Sequence, residues 1–196
     1  MVYNLPNMLT ISRLGLAGVF FLLLAERWWV AVPVLLVAGL TDILDGYLAR
    51  RRGQQTDFGR VADPVIDKIL ICGGFIMVLP YRAEAAVMLQ PWMVALIVGR
   101  ELLVTSLRGF AESRGTAFAA TFWGKSKMLL QFVTLVMLIA AETVHAPSDG
   151  AFAWVGALYS STVTLWAVWA TVIVTTVSGA VYLVDLPVIL AKKRDA

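Results

Sequence analysis

The sequence reads TDILDGYLAR at residues 41–50 and GRVADPVID at residues 59–67, and these stretches place four aspartates within otherwise apolar segments. Asp42 and Asp45 are three residues apart in the first segment, and Asp63 and Asp67 are four apart in the second. Such spacings bring side chains to one face of an α-helix. A charged residue at the centre of a membrane-spanning helix costs roughly 2.5 to 3.5 kcal/mol, so four carboxylates require compensating partners.

The composition around these stretches is typical of a membrane protein. Of the 196 residues, 60% are hydrophobic and 15% are charged, and the mean hydropathy is +0.81. An ordinary globular domain carries about 25% charged residues, and a membrane-spanning helix needs roughly 20 apolar ones. We therefore predict an all-α integral membrane protein with a single domain over residues 1–196. The formal net charge of +3 is too small to indicate nucleic acid as a partner.

Apolar runs bounded by charged or turn residues predict six transmembrane helices, preceded by a short N-terminal interfacial segment at residues 4–7. The predicted helices are Leu9–Ala25, Trp28–Arg51, Phe58–Leu79, Met88–Glu112, Ala120–Ala141 and Ser160–Leu190. If the N-terminus is cytoplasmic, only Arg27 and Arg82 of the 16 Lys and Arg residues fall on the opposite side. Because basic residues concentrate on the cytoplasmic side, we expect both termini in the cytoplasm.

The two segments that carry the aspartates are predicted to form an antiparallel hairpin, since the connection between Arg52 and Phe58 is short. With a rise of about 1.5 Å per residue, all four carboxylates reach a similar depth. Hard oxygen donors without nearby His or Cys indicate Mg²⁺, Mn²⁺ or Ca²⁺. Four negative charges balance two divalent ions, an arrangement used for phosphoryl transfer. In the alternative, the aspartates are interfacial and are neutralised by Arg50, Arg51, Arg52, Arg60 and Lys68.

The full pattern Asp42-x2-Asp45-Gly46-x2-Ala49-Arg50-x8-Gly59-x3-Asp63-x3-Asp67 resembles the motif of the CDP-alcohol phosphotransferases, with every fixed position matched. The resemblance implies a homodimer in which each chain transfers a phosphatidyl group from CDP-diacylglycerol to an alcohol and releases CMP. It also implies that the four aspartates hold Mg²⁺ or Mn²⁺, as two ions, and that Asp67 is in addition the general base. The residues implied to bind CDP-diacylglycerol are Asn7, Gly46, Ala49, Arg50, Thr56 and Gly59.

Basic residues at the cytoplasmic ends of the predicted fourth and fifth helices indicate an acceptor that carries a phosphate. Segments around Asn7, Arg100 and Lys125 also resemble those of the phosphatidylglycerophosphate synthases in this family, which implies sn-glycerol 3-phosphate as acceptor. Lys125 and Lys127 lie about 200° apart around a helix, so the two side chains cannot both face one ligand within a regular helix. Each cation can instead reach lipid phosphates. The candidate acceptor-phosphate ligands are Arg100, Arg108, Lys125 and Lys127.

Two other functions stay open at this point. The first is the same fold and donor with another acceptor, such as inositol phosphate or phosphatidylglycerol. The second is a cation transporter or channel that uses carboxylates within the membrane. A transporter would place them near the bilayer centre with access from both sides, whereas these cluster towards one face. The resemblance further implies a bacterial inner membrane, contact with membrane lipids and a cytoplasmic active site.

Overall fold

The structure, a computed structural model, describes the backbone of residues 5–52, 57–79, 88–113, 122–143, 154 and 159–191. Side chains are described for residues 12–41, 65–79, 88–111, 126–141, 154 and 159–184. These residues form an all-helical bundle, and no strand occurs within the described ranges. The six helices are α1 (Leu5–Glu26), α2 (Trp28–Arg52), α3 (Asp57–Val78), α4 (Pro91–Ser113), α5 (Phe122–Thr143) and α6 (Ser161–Ala191).

The sequence correctly predicts the number of helices, and most of the observed bounds lie within a few residues of those expected. The exception is the N-terminus, because α1 begins at Leu5 and includes Pro6 and Asn7. The prediction of a separate interfacial segment before the first helix is therefore wrong. Proline is tolerated in the first turn of a helix, where its missing N–H would have had no intrahelical acceptor. Proline also accounts for the start of α4 at Pro91, three residues later than predicted.

The odd-numbered helices run in the same direction. Along the α1–α3 contact, Asp67 pairs with Arg13 and Gly73 lies against Phe21, so residue numbers rise together on both helices. Along the contact of α3 with α5, Lys68 is within electrostatic range of Lys127, and Gly74 lies against Leu135. Three helices that are far apart in sequence are therefore parallel neighbours.

The α6 helix runs against α5 and along α4. Gln131 of α5 bonds to Thr175 of α6, whereas Thr134, three residues later, bonds to Thr171, so these two helices are antiparallel. The α4 helix instead matches α6 in direction, because Trp92 stacks near Trp169 and Arg100, further along α4, lies over Tyr182. The chain thus reverses direction between successive helices of this half of the bundle.

The first two helices are joined by Arg27 alone. Its amide donates to the Leu23 carbonyl at 2.6 Å, and its carbonyl accepts from the Val30 amide at 2.9 Å. Because α1 and α2 also pack along each other, this tight turn closes a helical hairpin. The predicted packing of α2 directly on α3 depends on residues near 53–56, outside the described part. Within that part, α2 and α3 each pack on both α1 and α5.

The core lies between the helices and is apolar over most of its length. Its fully buried large side chains come from all six helices and from Leu89 just before α4, so no single pair of helices forms a core alone. They are Phe20, Phe75, Leu35, Leu89, Ile97, Leu135, Leu138, Ile139, Val32 and Val168. Outward-facing positions are also strongly apolar, with a large exposed hydrophobic side chain on every helix, for example Leu22, Leu40, Ile76, Leu102, Leu129 and Trp166.

One helix among the described residues is long and apolar enough to cross a membrane by length and composition, namely the 24-residue segment Ser161–Val184 of α6. Two shorter apolar segments, Trp28–Thr41 and Ser126–Ala141, belong to α2 and α5. The prediction of an all-α bundle with six helices is thus confirmed.

Close approach of α1 and α3 depends on Gly73. A Cβ added at this position would meet Phe21 Cζ at a separation closer than real carbon contacts allow. Gly18 on α1 offers a comparison, because no neighbouring atom lies within 4 Å of the position its Cβ would take.

We predict that Gly73→Val lowers the free energy of unfolding by about 1 to 3 kcal/mol, because the added side chain overpacks the α1–α3 contact. Thermal unfolding of the purified protein in detergent measures this loss, with Gly18→Val as the control of smaller effect. The Gly73→Val/Phe21→Ala double variant should lose less than the sum of the two single variants. Equal melting temperatures for Gly73→Val and Gly18→Val would contradict the close approach.

Candidate active site

The aspartates of the sequence motif lie in two helices, as predicted. The α2 helix contains Asp42, Asp45, Gly46, Ala49 and Arg50 in its second half. The α3 helix contains Gly59, Asp63 and Asp67, which follow one another at intervals of four residues, about one turn. The described side chains include only that of Asp67. Those of Asn7, Asp42, Asp45, Gly46, Ala49, Arg50, Thr56, Gly59, Asp63 and Lys125 lie outside the described part.

Asp67 forms an ion pair with Arg13 across the α1–α3 contact. The distance from Arg13 Nη1 to Asp67 Oδ1 is 3.5 Å. The Arg13 side chain is only 6% exposed, whereas that of Asp67 is 27% exposed. The guanidinium is therefore buried within the bundle, whereas the carboxylate is partly exposed.

The residue after Asp67 faces a second polar group. Lys68 is within electrostatic range of Lys127 on α5, and Cys72, one turn further along α3, is within range of Glu101 on α4. Adjacent residues of one helix point about 100° apart. Thus α3 presents its carboxylate towards α1 and its lysine towards α4 and α5, so the two polar groups share one helix.

This second group is centred on Glu101. Its Oε1 atom accepts from Arg100 Nη1 at 3.2 Å, from Lys127 Nζ, and from Gln131 Nε2 at 3.3 Å. The Glu101 side chain is 8% exposed, that of Arg100 is 9% exposed and that of Lys127 is 10% exposed. Gln131 also donates to Thr175 Oγ1 at 3.3 Å, which links the group to α6. We call Arg100, Glu101, Lys127 and Gln131 the Glu101 cluster.

Tyr182 of α6 borders the Glu101 cluster. The ring of this buried residue lies under two guanidinium groups, 5.6 Å from Arg100 Cζ and 5.8 Å from Arg108 Cζ. Arg108 Nη2 also donates to the Tyr182 hydroxyl at 2.9 Å. Because a cation above an aromatic face is attracted by the ring, Tyr182 helps to hold both arginines.

Three of the four predicted acceptor-phosphate ligands can thus be placed. Arg100 and Lys127 meet at Glu101, and Arg108 lies beside them through Tyr182. The sequence did not reveal Gln131 or Tyr182 as partners, nor Arg13 as the partner of Asp67. The sequence does contain a sign of Gln131's role, because Gln131 lies four residues after Lys127 in an apolar run. That spacing places both polar side chains on the same face of the helix. The contact of Arg13 with Asp67 could not be read from the sequence, because it depends on how α1 packs on α3.

The donor chemistry of the motif suits a hard divalent cation. Carboxylate oxygens are the preferred ligands of Mg²⁺ and Mn²⁺, and the Asp67 carboxylate is partly exposed. Within the described residues, no three His, Cys, Asp or Glu side chains come together. The predicted ligand set of Asp42, Asp45, Asp63 and Asp67 extends beyond those residues, so it stays a prediction.

We predict that Arg13→Met lowers the free energy of unfolding by about 1 to 3 kcal/mol. Removing one partner of a fully buried ion pair costs about 3 to 5 kcal/mol, and the partial exposure of Asp67 reduces that cost. Thermal unfolding in detergent measures the loss. Arg13→Lys should lose less, and Arg13→Met/Asp67→Asn should recover part of the stability. Wild-type stability of Arg13→Met would contradict the importance of this pair.

Comparison with known proteins supports the interpretation of these helices. Residues 3–185 match the family model of the CDP-alcohol phosphatidyltransferases. A CDP-diacylglycerol–glycerol-3-phosphate 3-phosphatidyltransferase of Bacillus subtilis (strain 168) is 30% identical over 81% of this chain and 90% of its own length. The enzyme of the same name from Escherichia coli (strain K12) is 34% identical over 71% of this chain and 78% of its own length. A CMP-forming cardiolipin synthase of Oryza sativa subsp. japonica is 31% identical over 76% of this chain and 49% of its own length.

The family match covers residues 3–185 and therefore includes the whole aspartate motif and most of the helical bundle. The chain belongs to the CDP-alcohol phosphatidyltransferase family.

Proposed function

We propose that the protein transfers the phosphatidyl group of CDP-diacylglycerol to sn-glycerol 3-phosphate, giving phosphatidylglycerophosphate and CMP. Family membership and the names of the bacterial relatives support this donor and acceptor. The structural observation that carries the proposal is the buried pair of cations, Arg100 and Lys127, in the Glu101 cluster. Lys68, which follows Asp67 on α3, is within electrostatic range of Lys127. A phosphate monoester needs such cations, whereas a neutral alcohol does not.

The reaction displaces CMP from the phosphorus atom of the phosphatidyl group. The acceptor hydroxyl oxygen forms a new bond to that phosphorus, the bond to the CMP phosphate breaks, and CMP leaves with the bonding electrons. Asp67 orients the hydroxyl and accepts its proton. Arg13 holds the Asp67 carboxylate from the α1 side, as their 3.5 Å contact suggests. Arg50 on α2 offsets the negative charge of the nucleotide diphosphate.

Members of this family generally depend on a divalent metal. We propose Mg²⁺ or Mn²⁺, as two ions, held by Asp42, Asp45, Asp63 and Asp67. Such ions stabilise negative charge on phosphate oxygens. The rest of the pocket for CDP-diacylglycerol is assigned to Asn7, Gly46, Ala49, Arg50, Thr56 and Gly59, and the acceptor phosphate to Arg100, Arg108, Lys125 and Lys127.

We further propose that all six helices span the membrane and that residues 1–196 form one domain. The parallel odd-numbered helices and the reversal between α4, α5 and α6 support a chain that crosses repeatedly. The large apolar side chains exposed on every helix support contact with membrane lipids. The distribution of Lys and Arg favours cytoplasmic termini and a cytoplasmic active site, and the bacterial relatives favour an inner membrane. The homodimer implied by the family stays a proposal.

A second acceptor is worth testing beside glycerol 3-phosphate. We choose phosphatidylglycerol for this comparison, because the chain is also similar to a CMP-forming cardiolipin synthase. Phosphatidylglycerol carries a phosphodiester with one negative charge, whereas glycerol 3-phosphate is a monoester with nearly two at neutral pH. Two buried cations suit the monoester better.

We predict that purified protein in detergent micelles, supplied with CDP-diacylglycerol and Mg²⁺, releases CMP when glycerol 3-phosphate is added. Glycerol, inositol phosphate and phosphatidylglycerol are the comparison acceptors, and CMP is quantified by chromatography. Asp67→Asn is the matched control, because it keeps the side-chain shape while removing the negative charge. This variant should still fold and unfold cooperatively, at a lower temperature because Arg13 loses its charged partner, but it should lose CMP release. Turnover of Asp67→Asn at the wild-type rate would rule out the role of Asp67, and preference for another acceptor would overturn the proposed substrate.

A further inference from the structure

Glu101 is a buried carboxylate in a site that otherwise attracts anions. It does not belong to the aspartate motif, and a negative charge beside an acceptor phosphate would weaken binding if it acted alone. Yet three donors from two helices converge on its single Oε1 atom. The burial of this carboxylate among cations therefore indicates a function other than direct contact with the substrate.

The charges in the Glu101 cluster do not balance. Arg100 and Lys127 carry two positive charges against the one negative charge of Glu101, and all three side chains are at least nine-tenths buried. Because an uncompensated charge in an apolar interior is costly, this excess favours binding of an anion.

Arg100 also has donor capacity left for a ligand. Its Nη1 atom is bonded to Glu101, but its buried Nε atom has no hydrogen-bond partner within the described part of the chain. The side chain is confined on its other sides. Tyr182 lies beneath the guanidinium, and a Cβ at Gly179 would come within 2.9 Å of Arg100 Cγ. Arg100 thus has little freedom to move, and its Nε donor has no partner among the described residues.

We propose that Glu101 is a positioning residue for the acceptor phosphate. It fixes the Arg100 guanidinium and the Lys127 ammonium so that their remaining N–H donors converge on one phosphate, and Glu101 itself does not touch the substrate. Lysine and arginine side chains lose considerable rotamer freedom when they are ordered, so holding them in advance removes that cost from substrate binding. This inference rests on the proposed function, because it assumes an acceptor that carries a phosphate.

The test compares Glu101→Gln and Glu101→Asp with the wild-type protein. Glu101→Gln keeps the size of the side chain and removes its charge, whereas Glu101→Asp keeps the charge and draws it back by one methylene. Glu26→Gln is the matched control, since Glu26 is exposed at the end of α1. For each protein, KM is measured separately for glycerol 3-phosphate and for CDP-diacylglycerol, together with kcat and the melting temperature.

We expect Glu101→Gln to raise the KM for glycerol 3-phosphate roughly tenfold or more, as for loss of a hydrogen bond to a charged group. The KM for CDP-diacylglycerol should change less than about twofold, within ordinary variation for a residue outside its pocket. The KM of Glu101→Asp for glycerol 3-phosphate should lie between those of Glu101→Gln and the wild type. A fall in melting temperature with both KM values unchanged would show a purely structural role and overturn the proposal.

Two further outcomes separate this proposal from the proposed function. If the wild-type protein releases CMP without needing glycerol 3-phosphate, the proposed function fails and the role of Glu101 fails with it. If the wild-type protein needs glycerol 3-phosphate but Glu101→Gln binds it normally, only the role of Glu101 fails. Should Glu101→Gln not fold, Glu101→Asp decides alone, because a selective rise in the KM for glycerol 3-phosphate supports the proposal and an unchanged value overturns it.

Discussion

The need to compensate charges inside an apolar bundle constrains the rest of this structure. Arg13 of α1 pairs with Asp67 of α3. Glu101 of α4 pairs both with Arg100 on the same helix and with Lys127 of α5. Removing one partner of such a pair is far more costly than at a protein surface. The helices that supply the partners therefore have to meet at fixed positions along their lengths.

The α3 helix connects the two polar groups. Its neighbouring residues Asp67 and Lys68 face α1 on one side and the Glu101 cluster on the other. In the proposed reaction, the acceptor hydroxyl has to reach Asp67 while its phosphate is held by Arg100 and Lys127. A rigid helix between the two groups suits this purpose, since small displacements of reacting groups reduce rates strongly. The close contact of Gly73 with Phe21 contributes to that rigidity, because it keeps α3 against α1.

Much of this arrangement could be predicted from the sequence, because it depends on local pattern. The apolar runs predict six helices with nearly correct bounds, and the spacing of the aspartates alone indicates the family. The first turn of α1 was misplaced because Pro6 reads equally well as a break and as the start of a helix. The partners Arg13, Gln131 and Tyr182 could not be predicted, since each depends on which helices become neighbours and how far each is rotated. The position of Lys127 within the cluster could not be predicted either, because it depends on where α5 lies relative to α4.

We propose that carboxylates of α2 and α3 hold divalent metal, and anomalous X-ray diffraction from crystals grown with Mn²⁺ would locate that metal. We expect anomalous density bound by the Asp67 carboxylate together with Asp42, Asp45 and Asp63. Density confined to other parts of the protein, with the Asp67 carboxylate bound only to Arg13, would contradict it.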